Sequence, residues 1–237
     1  MSFKKILIPK VWGGEKLENF FSCKSFEKNY GESWEISVIK DFESVVNNGV
    51  FKNKKLNKLI EKYPTEILGS SVYNKYGLNF PLLIKFIDVN QPLSIQVHPN
   101  NEKARVRHNS FGKSEMWFII ETEKNANLSL GFNKKIDKNI FNENLKNKTV
   151  DKILNSFEVE PKDAFYVPAG TIHALNGKML LLDRKISSPK FFPFRLIWSH
   201  NRSLNKSSRP KVWWMRWILQ AYLGPFCLLS MHQEVLA

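Results

Sequence analysis

Apolar and polar positions alternate with a period of two through much of this 237-residue chain, the spacing that sends successive side chains to opposite faces of a strand. The stretch Leu93-Ser94-Ile95-Gln96-Val97-His98-Pro99 is the sharpest case. It predicts a short strand with Ser94, Gln96 and His98 on one face and Leu93, Ile95 and Val97 on the other. Upstream, residues 5–8, 12–14, 32–39 and 44–49 read as strands separated by Gly and Asn turns, the signature of an antiparallel meander. Residues 81–88 are apolar almost throughout and predict a central strand. Residues 157–160 and 165–167 predict two more, followed by a Pro168-Ala169-Gly170 turn that delivers His173.

Helical spacing is confined to two places. Residues 54–63 carry Leu56, Leu59 and Ile60 on one side and stop at Pro64. Residues 139–157 hold apolar positions at mixed spacing and predict one or two helices. Many short strands with Gly and Pro turns predict a mainly β fold, a β-sandwich or jelly roll, with a small helical insert at about residues 52–70.

Composition changes this picture in two respects. With 43% hydrophobic and 24% charged residues the chain is globular and not disordered. The formal charge of +14 would suggest nucleic acid or an anionic membrane as partner, but residues 184–237 alone carry +8 and the preceding 183 only +6. In the main body Lys is interspersed with Asn, Asp and Glu as on a solvated face, with no basic stripe interleaved with aromatics, so no nucleic-acid partner is expected. Cys23 and Cys227 make no disulfide framework and no Cys-based zinc ribbon. The opening residues are too short for a signal h-region with a cleavage site, and the expected location is the cytoplasm.

The chemistry-bearing residues are His98, Glu115 in Gly112-Lys113-Ser114-Glu115-Met116-Trp117, and His173. A carboxylate inside an apolar strand needs a cation beside it, and either Lys113 or a metal would serve. Two histidines and a glutamate, with the Gln96 amide oxygen as a less common fourth donor, suit a catalytic zinc with an open position.

Several stretches resemble the type I mannose-6-phosphate isomerases, most closely the short bacterial form. They are Ile8-Pro9-Lys10-Val11-Trp12-Gly13-Gly14, Gly31-Glu32-Ser33-Trp34-Glu35, residues 81–88, Ser94-Ile95-Gln96-Val97-His98-Pro99, Lys113-Ser114-Glu115 and Val167-Pro168-Ala169-Gly170-Thr171-Ile172-His173. The resemblance covers roughly residues 3–182. It implies a cupin-type β fold and one zinc ion held by Gln96, His98, Glu115 and His173, with Ser94 and Lys113 lining the substrate site. It also implies a small-molecule sugar phosphate as partner and interconversion of mannose 6-phosphate and fructose 6-phosphate through an enediol. Two other readings accommodate the residues. One is a cupin that binds zinc and a sugar phosphate without turnover. The other is a metal oxygenase, which would prefer iron and a His-rich ligand set and which the Gln-x-His-Pro strand and Lys113 argue against.

Near residue 183 the resemblance ends. Asp183 stands where the family has Glu, only Ser187-Ser188 matches what should follow, and Arg195 is the nearest candidate for the family's active-site arginine. Four of the seven tryptophans lie beyond this point. A reading-frame change near residue 183 explains the break most simply, a lineage-specific tail being the rival. The expected organisation is therefore a catalytic domain over residues 1–183 and an aberrant basic, Trp-rich tail over 184–237. Residues 212–231 form an apolar run long enough to span a bilayer, but Arg216, Gln220 and Gly224-Pro225 count against an anchor.

Overall fold

The computed structural model describes residues 1–22 and 29–186. In chain order the first elements are β1 (Ile6–Gly14), α1 (Lys16–Phe20), β2 (Tyr30–Ile36), α2 (Leu56–Lys62), α3 (Pro64–Leu68), α4 (Ser70–Tyr76) and β3 (Leu82–Val89). There follow α5 (Asn101–His108), β4 (Ser114–Thr122), β5 (Asn127–Phe132), α6 (Lys138–Lys146), β6 (Leu154–Glu158), β7 (Ala164–Val167), β8 (His173–Asn176) and β9 (Met179–Ile186). These residues divide into two compact units, one of 1–4 and 38–78, the other of 5–22, 29–37 and 79–186.

The smaller unit holds α2 to α4, with Leu56, Leu59 and Ile60 buried as the helical spacing requires. As the sequence suggested, α2 stops short of Pro64. Pro64 then opens the separate helix α3 at its first helical position, where a missing N–H costs nothing. Residues 44–49 do not form the expected strand, and their pairing is limited to the bridges Phe3 to Val46 and Val45 to Lys55.

The larger unit is the mainly β, cupin-like sandwich expected. Its six-stranded sheet runs β1-β2-β3-β9-β4-β7 and its three-stranded sheet β6-β5-β8, every pairing antiparallel. Ile87, Val89, Trp117, Ile119 and Leu181 of the large sheet pack with Leu128, Leu130 and Leu175 of the small one in a single core. Each such aliphatic side chain contributes about 1.5–3 kcal/mol by leaving water. The continuous apolar run of β3 is explained by its place between β2 and β9.

Two further expectations need correction. The stretch around Gln96 is no ladder strand: it meets β8 through one bridge, Gln96 to His173. Pro92 and Pro99, which cannot donate, bracket it, and Ile95 and Val97 remain 41% and 59% exposed. In residues 139–157 the helical part ends early, because β6 begins at Leu154. Helix α5 has no apolar periodicity to announce it and buries only Ala104. It is started by Asn100, whose side chain accepts from the Lys103 N–H at 2.9 Å. His108 is the exposed last residue of that helix.

Strand β9 runs through Asp183 to Ile186. Arg195, His200, both cysteines and the apolar run at 212–231 lie outside the described residues. Among the described residues no helix is long and apolar enough to cross a membrane.

Gly112 fixes the approach of β4 to α5. Its N–H donates to Asn101 Oδ1 at 2.8 Å, and a Cβ there would stand 2.5 Å from the Asn101 nitrogen and 2.6 Å from the Asn100 carbonyl carbon. Gly112→Ala is expected to lower stability by about 1–3 kcal/mol, read as a fall in the urea midpoint with unchanged m-value.

Candidate metal centre

Three separate pieces of chain converge at one end of the sandwich. Glu115 is the second residue of β4, its carboxylate facing inward and 3% exposed. His173 opens β8 and is 4% exposed. It is delivered by the turn at Gly170, whose φ of +89° favours glycine. His98 lies at the end of the bridged segment, where its carbonyl accepts from Gly170 N–H at 2.7 Å. Paired bonds of 2.8 Å between the Gln96 and His173 backbones hold the two histidine-bearing segments in register. The Lys113 N–H donates to the Pro99 carbonyl at 3.1 Å, tying β4 to the same corner.

The donor atoms of His98, Glu115 and His173 all lie within 4.8 Å of one another. His98 Nε2 is 3.6 Å from Glu115 Oε1, and His173 Nε2 is 3.5 Å from Glu115 Oε2. Ligands about 2.1 Å from a tetrahedral zinc stand roughly 3.4 Å apart, so the donor set fits zinc. The His173 tautomer also fits. Nδ1 lies 2.8 Å from the Thr171 carbonyl, which can only accept, so Nδ1 carries the proton and Nε2 presents a lone pair. Gln96 and Ser94 line the cavity of about 180 Å³ beside these groups, together with Lys113, Glu115 and His173.

Electrostatics keeps the donors in the forms that bind cations. Burial pushes the Glu115 carboxyl up, but Lys113 and the two histidines outweigh it and hold the value below the usual glutamate range. The His98 imidazole is lowered to about 4, by burial first and then by the Lys113 charge. Burial likewise lowers His173.

The cavity contains groups that sequence reasoning did not assign to the site: Lys10, Glu32, Lys85 and Asp183. Lys85 binds Glu32 Oε1 at 2.7 Å and stands 3.8 Å from Asp183 Oδ2. Asp183 is 1% exposed with its Oδ1 unpartnered. Burial, then the Glu115 charge, raises it to about 7. Burial, then Lys113 and Lys85, lowers neighbouring Lys185 to about 8. A signal was present in the sequence: Lys85 sits among apolar residues of β3 and Asp183 directly follows the Leu180–Leu182 run of β9, and strand pairing sets the two opposite one another.

The type I phosphomannose isomerase catalytic domain family matches residues 3–115. The curated mannose-6-phosphate isomerase ManA of Bacillus subtilis is 35% identical over 187 residues, which are 78% of this chain and 57% of the relative. The crystal structure of the mannose 6-phosphate isomerase from Bacillus subtilis superposes with a TM-score of 0.72 at 32% identity, over 79% of this chain and 58% of that one. A zinc-bound mannose 6-phosphate isomerase shares the fold at a TM-score of 0.60 and 16% identity, over 79% of this chain and 68% of that one. The chain thus spans a little over half the length of the curated relative.

A histidine that resists protonation when folded makes stability rise with pH between its folded and unfolded values, because the unfolded chain binds the extra proton. In chelator, the stability that wild type loses between pH 6.5 and 5 is expected to exceed the loss in His98→Gln by about 1–2 kcal/mol. Urea unfolding at the two pH values measures the difference.

Proposed function

We propose that the chain, whose residues 3–115 match the type I phosphomannose isomerase catalytic domain family, is a cytoplasmic, zinc-dependent aldose–ketose isomerase. It interconverts mannose 6-phosphate and fructose 6-phosphate through an enediol. The observation that carries the reading is the convergence of His98, Glu115 and His173 beside a cavity lined by Ser94, Gln96 and Lys113. Matches of 35% identity with curated mannose-6-phosphate isomerases support it.

In this reading Gln96, His98, Glu115 and His173 hold one zinc ion, which supplies Lewis-acid polarisation of the sugar's carbonyl. The chain's own groups do the rest. The Thr171 carbonyl fixes the His173 tautomer, and the Glu115 charge balances the cationic side of the cavity. Ser94 and Lys113 receive the sugar phosphate, Lys113 as a point charge. Moving a proton between adjacent sugar carbons needs a group poised near neutrality. Asp183 and Lys185, raised to about 7 and lowered to about 8, have that property.

The test is a coupled assay of mannose 6-phosphate turnover by the purified chain. Chelation is expected to abolish turnover, zinc to restore it, and Glu115→Gln to lower kcat/KM by about 100-fold or more. A folded, zinc-loaded chain that binds the sugar phosphate without turning it over would instead select the non-catalytic binder.

A further inference from the structure

The Lys113 ammonium stands 2.5 Å from Glu115 Oε1 and 2.7 Å from His98 Nε2. A lysine ammonium has donors only, so His98 Nε2 is the acceptor of that contact. The two groups it meets are not equally committed. Glu115 has a second oxygen, Oε2, directed at His173 at 3.5 Å, and can face a cation on that side while Oε1 keeps its lysine. The His98 imidazole nitrogen has a single lone pair. It serves the ammonium or a metal ion, not both.

We propose that Lys113 is a displaceable internal cation: it competes with zinc for His98 Nε2, and metal binding expels its ammonium from the histidine into the adjoining cavity. The inference rests on the zinc reading of the same centre. The backbone hydrogen bond from Lys113 to Pro99 is unaffected by the exchange, so only the side chain moves. It has somewhere to go, since Lys113 already lines the cavity shared with Ser94 and Gln96. Two consequences follow. In metal-free protein the lysine neutralises the buried Glu115 carboxylate that would otherwise be costly. On metal loading the same charge is turned toward the cavity, so a phosphorylated sugar binds better to the metal-loaded chain, and by linkage tightens the metal in turn.

The experiment measures the zinc dissociation constant by competition with a chromophoric chelator. The chains compared are wild type, Lys113→Met, His98→Gln and the double variant, each confirmed as folded by circular dichroism, with Lys113→Ala replacing the methionine variant if that one unfolds. Lys113→Met is expected to bind zinc about tenfold more tightly than wild type, as removal of a competing charge at short range requires. In the His98→Gln background, where the contested lone pair is gone, the same substitution is expected to change the affinity by less than about threefold. Unchanged or weaker binding in Lys113→Met overturns the proposal, because the lysine then assists or ignores the metal. Equal tightening in both backgrounds also overturns it, since the effect is then general electrostatics and not competition at His98. Absence of zinc binding in wild type and every variant is a different failure, which removes the zinc reading itself and the inference with it.

Discussion

Burial of the Glu115 carboxylate is the constraint around which the larger unit is arranged. A carboxylate taken from water into a protein interior costs several kcal/mol unless charge and hydrogen bonds replace its hydration. Glu115 is 3% exposed, on a strand flanked by β9 and β7. What surrounds it comes from three places: Lys113 two residues before it, His98 from the bridged segment and His173 from the start of β8. Closing the sandwich and satisfying the carboxylate are therefore one event. The same groups, once gathered, form a donor set of the size that zinc takes.

The inner face of the six-stranded sheet is graded along its strands. On β4 the inward series is Ile119, Trp117, Glu115, and on β9 it is Leu181, Asp183, Lys185. On β3 it is Val89, Ile87, Lys85. The apolar end of each series joins the core shared with the small sheet, and the charged ends lie together and line the cavity or border it. Lys85 is held between Glu32 and Asp183, so a cation within a central strand is compensated from both neighbouring strands. At Asp183, burial and the Glu115 charge both oppose the ionised form.

Much of this was legible in the chain. Strand-like patterning located β1, β2, β6 and β7 at least in part, and the mostly apolar run of β3 identified a central strand because burial on both faces leaves no room for alternation. Glu115 betrayed itself as a charge in an apolar strand. The helix at Leu56–Lys62 followed from its own spacing. Elements whose stability is mostly not their own were harder to read. Helix α5 depends on the Asn100 cap and on contact with Gly112, not on an apolar stripe. The segment carrying Gln96 and His98 has a strand's alternation but only a bridge's hydrogen bonding.

The sequence by itself determined which residue types alternate, where the chain turns, and that two histidines, a glutamate and a lysine are available for a cationic centre. These are local properties, written in spacing and side-chain chemistry. Only the tertiary structure decided which atoms of those residues meet: that His173 offers Nε2 because Thr171 takes Nδ1, that Lys113 lies on His98 as well as on Glu115, and that Lys85, Glu32 and Asp183 share the cavity. The physical reason is distance along the chain. His98, Glu115 and His173 are brought within 4.8 Å by antiparallel pairing and sheet-on-sheet packing, and no local pattern encodes how separated strands align.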